Sequence, residues 1–168
     1  MIVYLLRHAE ALPGEPDALR LLSPKGKRQC VRVGQALHPE VRTAIRAFEH
    51  SPLRRAVATA RGVKAAAKLR LPLKETRGLR PEDDPARTAQ QLARSRGSRF
   101  LIGHNPHLAQ LVGLLLGLRA GAEGIHFKKA ALMALERQAG PTALRPYGTW
   151  RLQWMTPPPR VSADTPAS

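Results

Sequence analysis

Short apolar segments alternate with longer amphipathic segments along most of the chain. Ile2 to Leu6 is apolar at every position, which is typical of a strand buried on both faces of a parallel sheet. Further strand-like segments occupy residues 44–49, 71–75, 99–102, 130–136 and 149–155, and helical segments occupy residues 24–37, 52–69, 85–95 and 106–117. This alternation predicts a three-layer α/β/α sandwich with a mostly parallel central sheet, in which the last two strands are the candidates for antiparallel pairing.

The predicted helices share one start signal, a capping residue followed by proline. A short polar side chain suits the N-cap position, and proline suits the first helical position. The pairs are Ser23-Pro24, Ser51-Pro52, Asp84-Pro85 and Asn105-Pro106. Pro39 and Pro72 follow the first two helices and predict that both have ended by then.

Two further expectations concern packing. Trp150 and Trp154 stand at alternate positions of the last strand, which places them on one face and predicts that both belong to the core. His107, close to the start of the last helix, is expected at the surface or at the rim of a pocket.

The length of 168 residues and the 43% hydrophobic content suit a single domain, which we expect over residues 1–156. Residues 157–168 are rich in proline and small polar residues, and we expect a disordered tail there. The longest apolar segment, Leu108 to Leu118, is too short to span a membrane. With a lone cysteine, Cys30, and no membrane or targeting segment, the sequence predicts a cytoplasmic monomer.

The net charge of +16, from 28 basic and 12 acidic residues, predicts an anionic ligand or partner. Phosphates, acidic protein surfaces and nucleic acid would all respond to such a field. An aromatic content of only 4%, with no interleaving of basic and aromatic residues, argues against nucleic acid.

Two histidines follow strands of the predicted sheet. Arg7-His8 comes directly after the first strand, and Gly103-His104 comes directly after the strand at 99–102. The carboxyl ends of parallel strands meet at one edge of a sheet, so we expect both imidazoles there. Taken singly, either histidine could equally be a capping or packing residue.

A third segment, Ser51 to Ala56, begins a helix at the same edge. Its first turn carries Arg54 and Arg55, and successive residues differ by about 100° around a helix, so only one of them can face the edge. A charged, solvated first turn is the alternative interpretation of both arginines.

Two histidines, several arginines and a helix N-terminus at one edge predict a pocket for a phosphoryl dianion. Arginine binds phosphate oxygens in pairs, and helix N-termini favour anions. A neutral imidazole nitrogen is a competent nucleophile, while arginines and a protonated second histidine can neutralise developing charge. The sequence contains no Asp, His or Cys cluster with the spacing of metal ligands, so we expect neither a metal nor another cofactor.

At these residues the sequence resembles the histidine phosphatase, or phosphoglycerate mutase-like, superfamily. The matching motifs are Arg7-His8-Ala9, Ser51-Pro52-Leu53-Arg54-Arg55-Ala56 and Gly103-His104, in that order, and the resemblance covers residues 1–155. It implies the phosphoglycerate mutase-like fold and a covalent phosphohistidine intermediate on His8, without a metal. It also implies that Arg7, Arg55 and His104 bind the phosphoryl oxygens, and it selects Arg55 over Arg54.

The short chain is similar to the short bacterial phosphohistidine phosphatases, which act on phosphotransfer domains of signalling proteins. Like them, it has no long insertion between residues 72–75 and 85–95. Their Arg-x-Leu-Ser/Thr-x-x-Gly segment is matched by residues 20–26, which makes Arg20 a further candidate phosphate ligand. A solvated loop arginine is the alternative for that position.

The resemblance leaves the general acid open. Glu82 and Asp83 are candidates, while Asp84 is better explained as an N-cap. An alkoxide leaving group gains much from an acid, whereas the nitrogen of a phosphoramidate is protonated more readily.

The main hypothesis is therefore a metal-independent phosphatase that removes phosphate from phosphohistidine on a protein domain. The alternative is a small-molecule phosphomonoesterase acting on a sugar, nucleotide or other metabolite phosphate, which a usable acid would favour. A basic polyanion-binding protein is the third possibility.

Overall fold

A six-stranded sheet in the order β3-β2-β4-β1-β5-β6 organises the chain, in a computed structural model that describes residues 1–118 and 125–161. The strands are β1 (Ile2–Arg7), β2 (Ile45–His50), β3 (Leu73–Glu75), β4 (Ser98–Gly103), β5 (Leu132–Ala139) and β6 (Thr149–Thr156). Strands β1 to β4 are parallel to one another, β5 pairs antiparallel with β1, and β6 pairs antiparallel with β5. The mixed sheet agrees with the predicted one, including the antiparallel last strands.

Helices cover both faces of the sheet. They are α1 (Pro24–Ala36), α2 (Pro39–Ala44), α3 (Arg54–Ala66), α4 (Pro85–Arg94) and α5 (His107–Leu116), with a 3-10 turn at Asp17–Leu19. Alternate residues of β1 enter different cores, because successive side chains of a strand point to opposite faces. Tyr4 and Leu6 pack with residues of α1 and α3, whereas Val3 and Leu5 pack with residues of α4 and α5. The predicted three-layer α/β/α architecture is confirmed.

The start signal holds for two of the four helices. Ser23 accepts a hydrogen bond from the backbone N–H of Gly26, and Asp84 accepts one from Ala86. The predicted start at Ser51-Pro52 is wrong, because α3 begins at Arg54 and the Ser51 hydroxyl is engaged elsewhere, as described below. The helix predicted to start at Asn105-Pro106 also begins later in the chain.

Helix α5 begins at His107, with Pro106 as the N-cap residue. The side-chain amide of Asn105 donates to the carbonyl of Phe127 instead of capping the helix. A tertiary hydrogen bond has therefore replaced the local one that the sequence predicts.

The sequence does not predict helix α2, because Pro39 indicates only that the preceding helix has ended. It instead occupies the first position of a new short helix, where its fixed φ and lack of an N–H cost nothing.

The expectation that Trp150 and Trp154 share a face is wrong. The register of β6 against β5 shifts between Trp154 and Leu152, and a bulge of this kind changes the face that the following residues present. Trp150 is buried on the α4 and α5 side, whereas Trp154 lies beside Tyr4 and is 38% exposed.

The expected tail falls partly outside the described residues, which end at 161. No helix in the described part of the chain is long and apolar enough to cross a membrane.

Candidate active site

The ends of β1 and β4 bring two histidine rings close together. The strands are paired in parallel with Arg7 opposite Gly103, so the next residues, His8 and His104, leave the sheet side by side. Their ring centroids are 4.9 Å apart, and both side chains are buried.

His8 is held in one tautomer by the backbone. Its Nδ1 atom lies 2.7 Å from the carbonyl oxygen of Ala9, and because a carbonyl can only accept, Nδ1 carries the proton. Burial, with the positive charges of Arg55 and Arg7, lowers the pKa of His8 to about 3. At neutral pH the ring is therefore uncharged, and the lone pair on Nε2 is available for nucleophilic attack.

His104 is oriented by a hydroxyl from the end of β2. Its Nε2 atom lies 2.9 Å from Oγ of Ser51, and that oxygen accepts a hydrogen bond from the backbone N–H of Leu53 at 3.4 Å. When the hydroxyl of Ser51 donates to Nε2, the ring proton of His104 lies on Nδ1, which is the tautomer that binding an anion requires. This Nδ1 is buried and has no partner among the described residues.

The pKa of His104 is lowered to about 2, by burial first and then by His8 and Arg55. The sequence motifs predict that the second histidine is protonated. In the free protein this form is disfavoured, because the ring is desolvated among other cationic groups. His104 is better suited to donate from a neutral Nδ1–H.

Arg55 is buried and Arg54 is exposed, so one face of the α3 first turn points into the site. The two terminal nitrogens of Arg55 donate to the carbonyl oxygen of Asp17 at 2.8 Å and to its carboxylate at 3.0 Å. Arg7 donates from Nη1 to the carbonyl oxygen of Phe127 at 2.8 Å. Burial and the neighbouring Arg55 lower the pKa of Arg7, which shows that cationic charge is concentrated here.

Three buried donors of these residues have no partner in the described part of the chain: Arg7 Nε, Arg55 Nε and His104 Nδ1. Leaving such a group unpaired costs about 1–3 kcal/mol, and more when it is charged. A tetrahedral oxyanion between the two rings would satisfy donors of this kind. The site can therefore bind a phosphoryl group beside the Nε2 atom of His8.

Thr59 ties the end of β1 to helix α3. Its Oγ1 accepts from the backbone N–H of Ala9 at 3.1 Å, and its hydroxyl donates to the carbonyl oxygen of Arg55 at 2.7 Å. One hydroxyl thus fixes the segments that carry His8 and Arg55 relative to each other. Sequence reasoning missed it, although the spacing of Arg55 and Thr59 places both on one helix face.

Arg20 reaches the site through Asp17. Its Nε donates to the carbonyl oxygen of Leu12 at 2.8 Å, and its Nη1 lies 3.0 Å from Oδ1 of Asp17. The Asp17 carboxylate therefore bridges Arg20 and Arg55. Sequence reasoning also missed Asp17, which no motif marks.

Glu82 and Asp83 make their contacts with Arg80 rather than with the two histidines. Asp83 accepts a hydrogen bond from the backbone N–H of Arg80 at 2.8 Å, and the carboxylate of Glu82 is 3.9 Å from Nη1 of Arg80. Both line a cleft of about 640 Å³ that also includes Pro52. Among the described residues, no carboxylate hydrogen bonds to His8 or His104.

His107 is not at the surface, contrary to expectation. It is fully buried under α5, with Nε2 3.4 Å from the hydroxyl of Thr88. Burial lowers its pKa. The first turn of α5 faces the core rather than solvent because Leu108 and Leu111 pack there with it.

Within residues 1–118 and 125–161, no group of three or more His, Cys, Asp or Glu side chains is arranged to hold a metal ion.

The sequence model of the histidine phosphatase superfamily (branch 1) matches residues 3–82. The match includes Arg7-His8-Ala9 and the Ser51 to Ala56 motif, and His104 follows it in the same fold. The chain is therefore similar to the histidine phosphatase superfamily over a little under half of its length. A comparison with curated protein sequences found no match.

Solved structures of this superfamily fold cover nearly the whole chain. The protein histidine phosphatase SixA complexed with tungstate superposes with a TM-score of 0.77 at 23% identity, over 94% of this chain and 97% of that one. Mycobacterial glucosyl-3-phosphoglycerate phosphatase has a TM-score of 0.68 at 18% identity, over 90% and 96%. Phosphoserine phosphatase from Entamoeba histolytica has a TM-score of 0.66 at 14% identity, over 93% and 96%. These similarities confirm the phosphoglycerate mutase-like fold, and together with the superfamily match they support a phosphatase.

Proposed function

We propose that this chain is a histidine phosphatase superfamily member that removes the phosphoryl group from phosphohistidine on a signalling protein, with His8 as the nucleophile. The observation that carries the proposal is a neutral, buried His8 whose free Nε2 stands beside unpartnered donors of Arg7, Arg55 and His104. This combination fits the transfer of a phosphoryl group to an uncharged imidazole.

In the first step, Nε2 of His8 attacks phosphorus and the P–N bond to the substrate histidine breaks. Protonation of the other nitrogen of the substrate ring lets the leaving imidazole depart as a neutral molecule, so no protein acid is required. The phosphoryl oxygens are held by Arg7, Arg55 and the Nδ1–H of His104. Arg20 adds positive charge, either through its ion pair with Asp17 or by direct contact with the phosphoryl group.

In the second step, water attacks the phosphorus of phosphorylated His8. The P–N bond to Nε2 breaks, inorganic phosphate leaves, and the proton lost by the water passes to phosphate or solvent. His8 returns to its starting tautomer, because the carbonyl of Ala9 keeps the proton on Nδ1 throughout.

The protein substrate is supported by the contacts of the two candidate acids, because Glu82 and Asp83 are engaged with Arg80. Asp17 is likewise engaged, with Arg20 and Arg55. Without a positioned acid, a phosphoramidate is a better substrate than an alkyl ester, whose alkoxide is a poor leaving group. The fold is also that of a protein histidine phosphatase, although this similarity concerns the fold alone.

A small-molecule phosphomonoesterase is the second candidate. The cleft that contains Glu82 and Asp83 favours it, because a movement of that segment could bring an acid to the leaving group.

The test compares turnover of a phosphohistidine-bearing phosphotransfer domain, p-nitrophenyl phosphate and a set of alkyl phosphates, all in EDTA. We expect the domain to lose phosphate with a kcat/KM at least a hundredfold above that of any alkyl ester. Preferred hydrolysis of an alkyl phosphate would overturn the protein substrate in favour of the second candidate.

The nucleophile is tested separately with His8→Asn, which should abolish turnover and the acid-labile phosphoenzyme. The matched control is His38→Asn at an exposed histidine, which should behave as wild type. A His8→Asn variant with wild-type rates would overturn the mechanism.

A further inference from the structure

Three leucines stand exposed on the segment that runs from His8 to helix α1. Leu12 is 44% exposed, Leu19 is 56% exposed and Leu21 is 49% exposed. Single exposed leucines are ordinary on protein surfaces. Three exposed leucines within ten residues form an apolar patch next to a polar site, and the packing of the fold does not account for such a patch. We refer to Leu12, Leu19 and Leu21 as the leucine patch.

The backbone places two members of the leucine patch, Leu12 and Leu21, on one side of this segment. Ala11 and Leu22 form an antiparallel bridge, and the N–H of Leu12 donates to the carbonyl oxygen of Leu21 at 2.9 Å. Ala11 and Leu22 are buried, so the next pair, Leu12 and Leu21, points outward on the opposite face. Leu19 closes the 3-10 turn between them.

The same segment is bonded to the phosphoryl site. Asp17, which lies between Leu12 and Leu19, holds Arg55, and the carbonyl oxygen of Leu12 holds Arg20. Leu12 follows His8 by four residues, so at most about 14 Å of chain separates them. A folded domain that contacts about 800 Å² of this surface would cover both.

We infer that the leucine patch is the docking site for the phosphorylated protein domain, an inference that rests on the proposed function. Its partner is a domain with apolar side chains next to its phosphohistidine and acidic side chains around them. The apolar centre matches the leucines, and the acidic rim matches Lys129, whose charge acts on His8, within a chain of net charge +16. A metabolite phosphate is too small to gain from the patch while its phosphoryl group is at His8.

The test replaces all three leucines in one variant, L12S/L19S/L21S. We expect kcat/KM for a phosphohistidine-bearing phosphotransfer domain to fall at least tenfold through KM. Turnover of free phosphohistidine and of p-nitrophenyl phosphate should stay within twofold of wild type, because no leucine side chain belongs to the phosphoryl site. The matched control is Leu144→Ser, which removes a leucine that is 94% exposed on the hairpin between β5 and β6.

A binding measurement supports the kinetics independently of turnover. In a His8→Asn background, the dissociation constant for the phosphorylated domain should rise at least tenfold on introducing L12S/L19S/L21S and should not change on introducing Leu144→Ser. Thermal unfolding of every variant shows whether the fold is intact, and Leu12→Ser with Leu21→Ser alone serves if the triple variant unfolds.

Two results would overturn the docking site while leaving the proposed function standing. One is a wild-type KM and dissociation constant for the phosphorylated domain in the triple variant. The other is a change of oligomeric state, in which the wild type is a dimer and the triple variant is a monomer that turns over the domain at an unchanged rate. The patch would then join two copies of the chain. If the wild type itself fails to dephosphorylate the domain but hydrolyses metabolite phosphates, the proposed function fails, and the docking site with it.

Discussion

Oγ of Ser51 lies 2.9 Å from Nε2 of His104 and joins the ends of β2 and β4 at the centre of the site. A neighbouring backbone N–H, from Leu53, already donates to the same oxygen. When the hydroxyl donates to the imidazole, it leaves the opposite nitrogen, Nδ1, as the donor for an anion. A residue that the sequence marks as a helix cap is in the structure the group that orients a candidate phosphate ligand.

Replacing Ser51 with Ala should lower kcat by about 10–100-fold, because His104 then exchanges between tautomers and presents a proton to phosphate only part of the time. The measurement is steady-state kinetics with phosphohistidine, together with unfolding in urea. The matched control is Thr88→Val, which removes a hydroxyl from a second buried histidine, His107, outside the site. Equal kinetic losses in the two variants would show that Ser51 acts only through stability.

Asp17 should act as a positioning residue for the arginines. Asp17→Ala removes the carboxylate that bridges Arg20 and Arg55, and we expect the inhibition constant of inorganic phosphate to rise about tenfold, because both guanidinium groups lose an anchor. Asp17→Asn keeps an acceptor and should have a smaller effect. Stability should fall by about 1–3 kcal/mol in Asp17→Ala, because the buried guanidinium of Arg55 loses a partner.

The control for Asp17 is Glu136→Gln, which breaks an ion pair with Arg151 away from the site. Tighter binding of inorganic phosphate by Asp17→Ala would contradict the prediction. It would mean that the carboxylate competes with phosphate for the arginines.

Much of the fold could be read from local sequence. The apolar run Ile2 to Leu6 predicts a central strand because both faces of β1 are buried, and Ser23 and Asp84 cap their helices with local hydrogen bonds. The errors arise where a distant group competes with a local one. Ser51 bonds to His104 instead of capping α3, and a one-residue bulge in β6 sends Trp154 to the other face.

The predicted site residues His8, His104, Arg7 and Arg55 do come together. His8 and His104 follow the ends of the paired strands β1 and β4, Arg7 is the last residue of β1, and the motif places Arg55 on α3. Asp17 could not be predicted in the same way. It meets Arg55 across 38 positions of sequence, through a loop whose path depends on tertiary contacts.

Glu82→Gln and Asp83→Asn should each change turnover of phosphohistidine by less than about threefold, because their contacts are with Arg80 and the leaving imidazole needs no acid. The same variants are assayed with alkyl phosphates. A loss of about 100-fold or more confined to alkyl esters, with a flattened basic limb in the pH profile, would contradict this prediction and assign the altered residue as a general acid.

The free energy of unfolding should fall as the pH is lowered from about 6.5 toward 3. The pKa values of His8 and His104 are lowered in the folded protein to about 3 and about 2, so across this window the unfolded chain binds protons that the folded chain does not. Stability therefore decreases with each pH unit below the pKa of histidine in the unfolded chain, by up to about 1.4 kcal/mol per histidine.

Urea unfolding at pH 7 and pH 5 measures the effect, since in this range the carboxylates remain largely ionised in both states. His104→Gln should make the dependence on pH shallower, while His38→Asn should leave it unchanged. An unaltered slope in His104→Gln would mean that this ring takes up its proton in the folded protein as readily as in the unfolded chain.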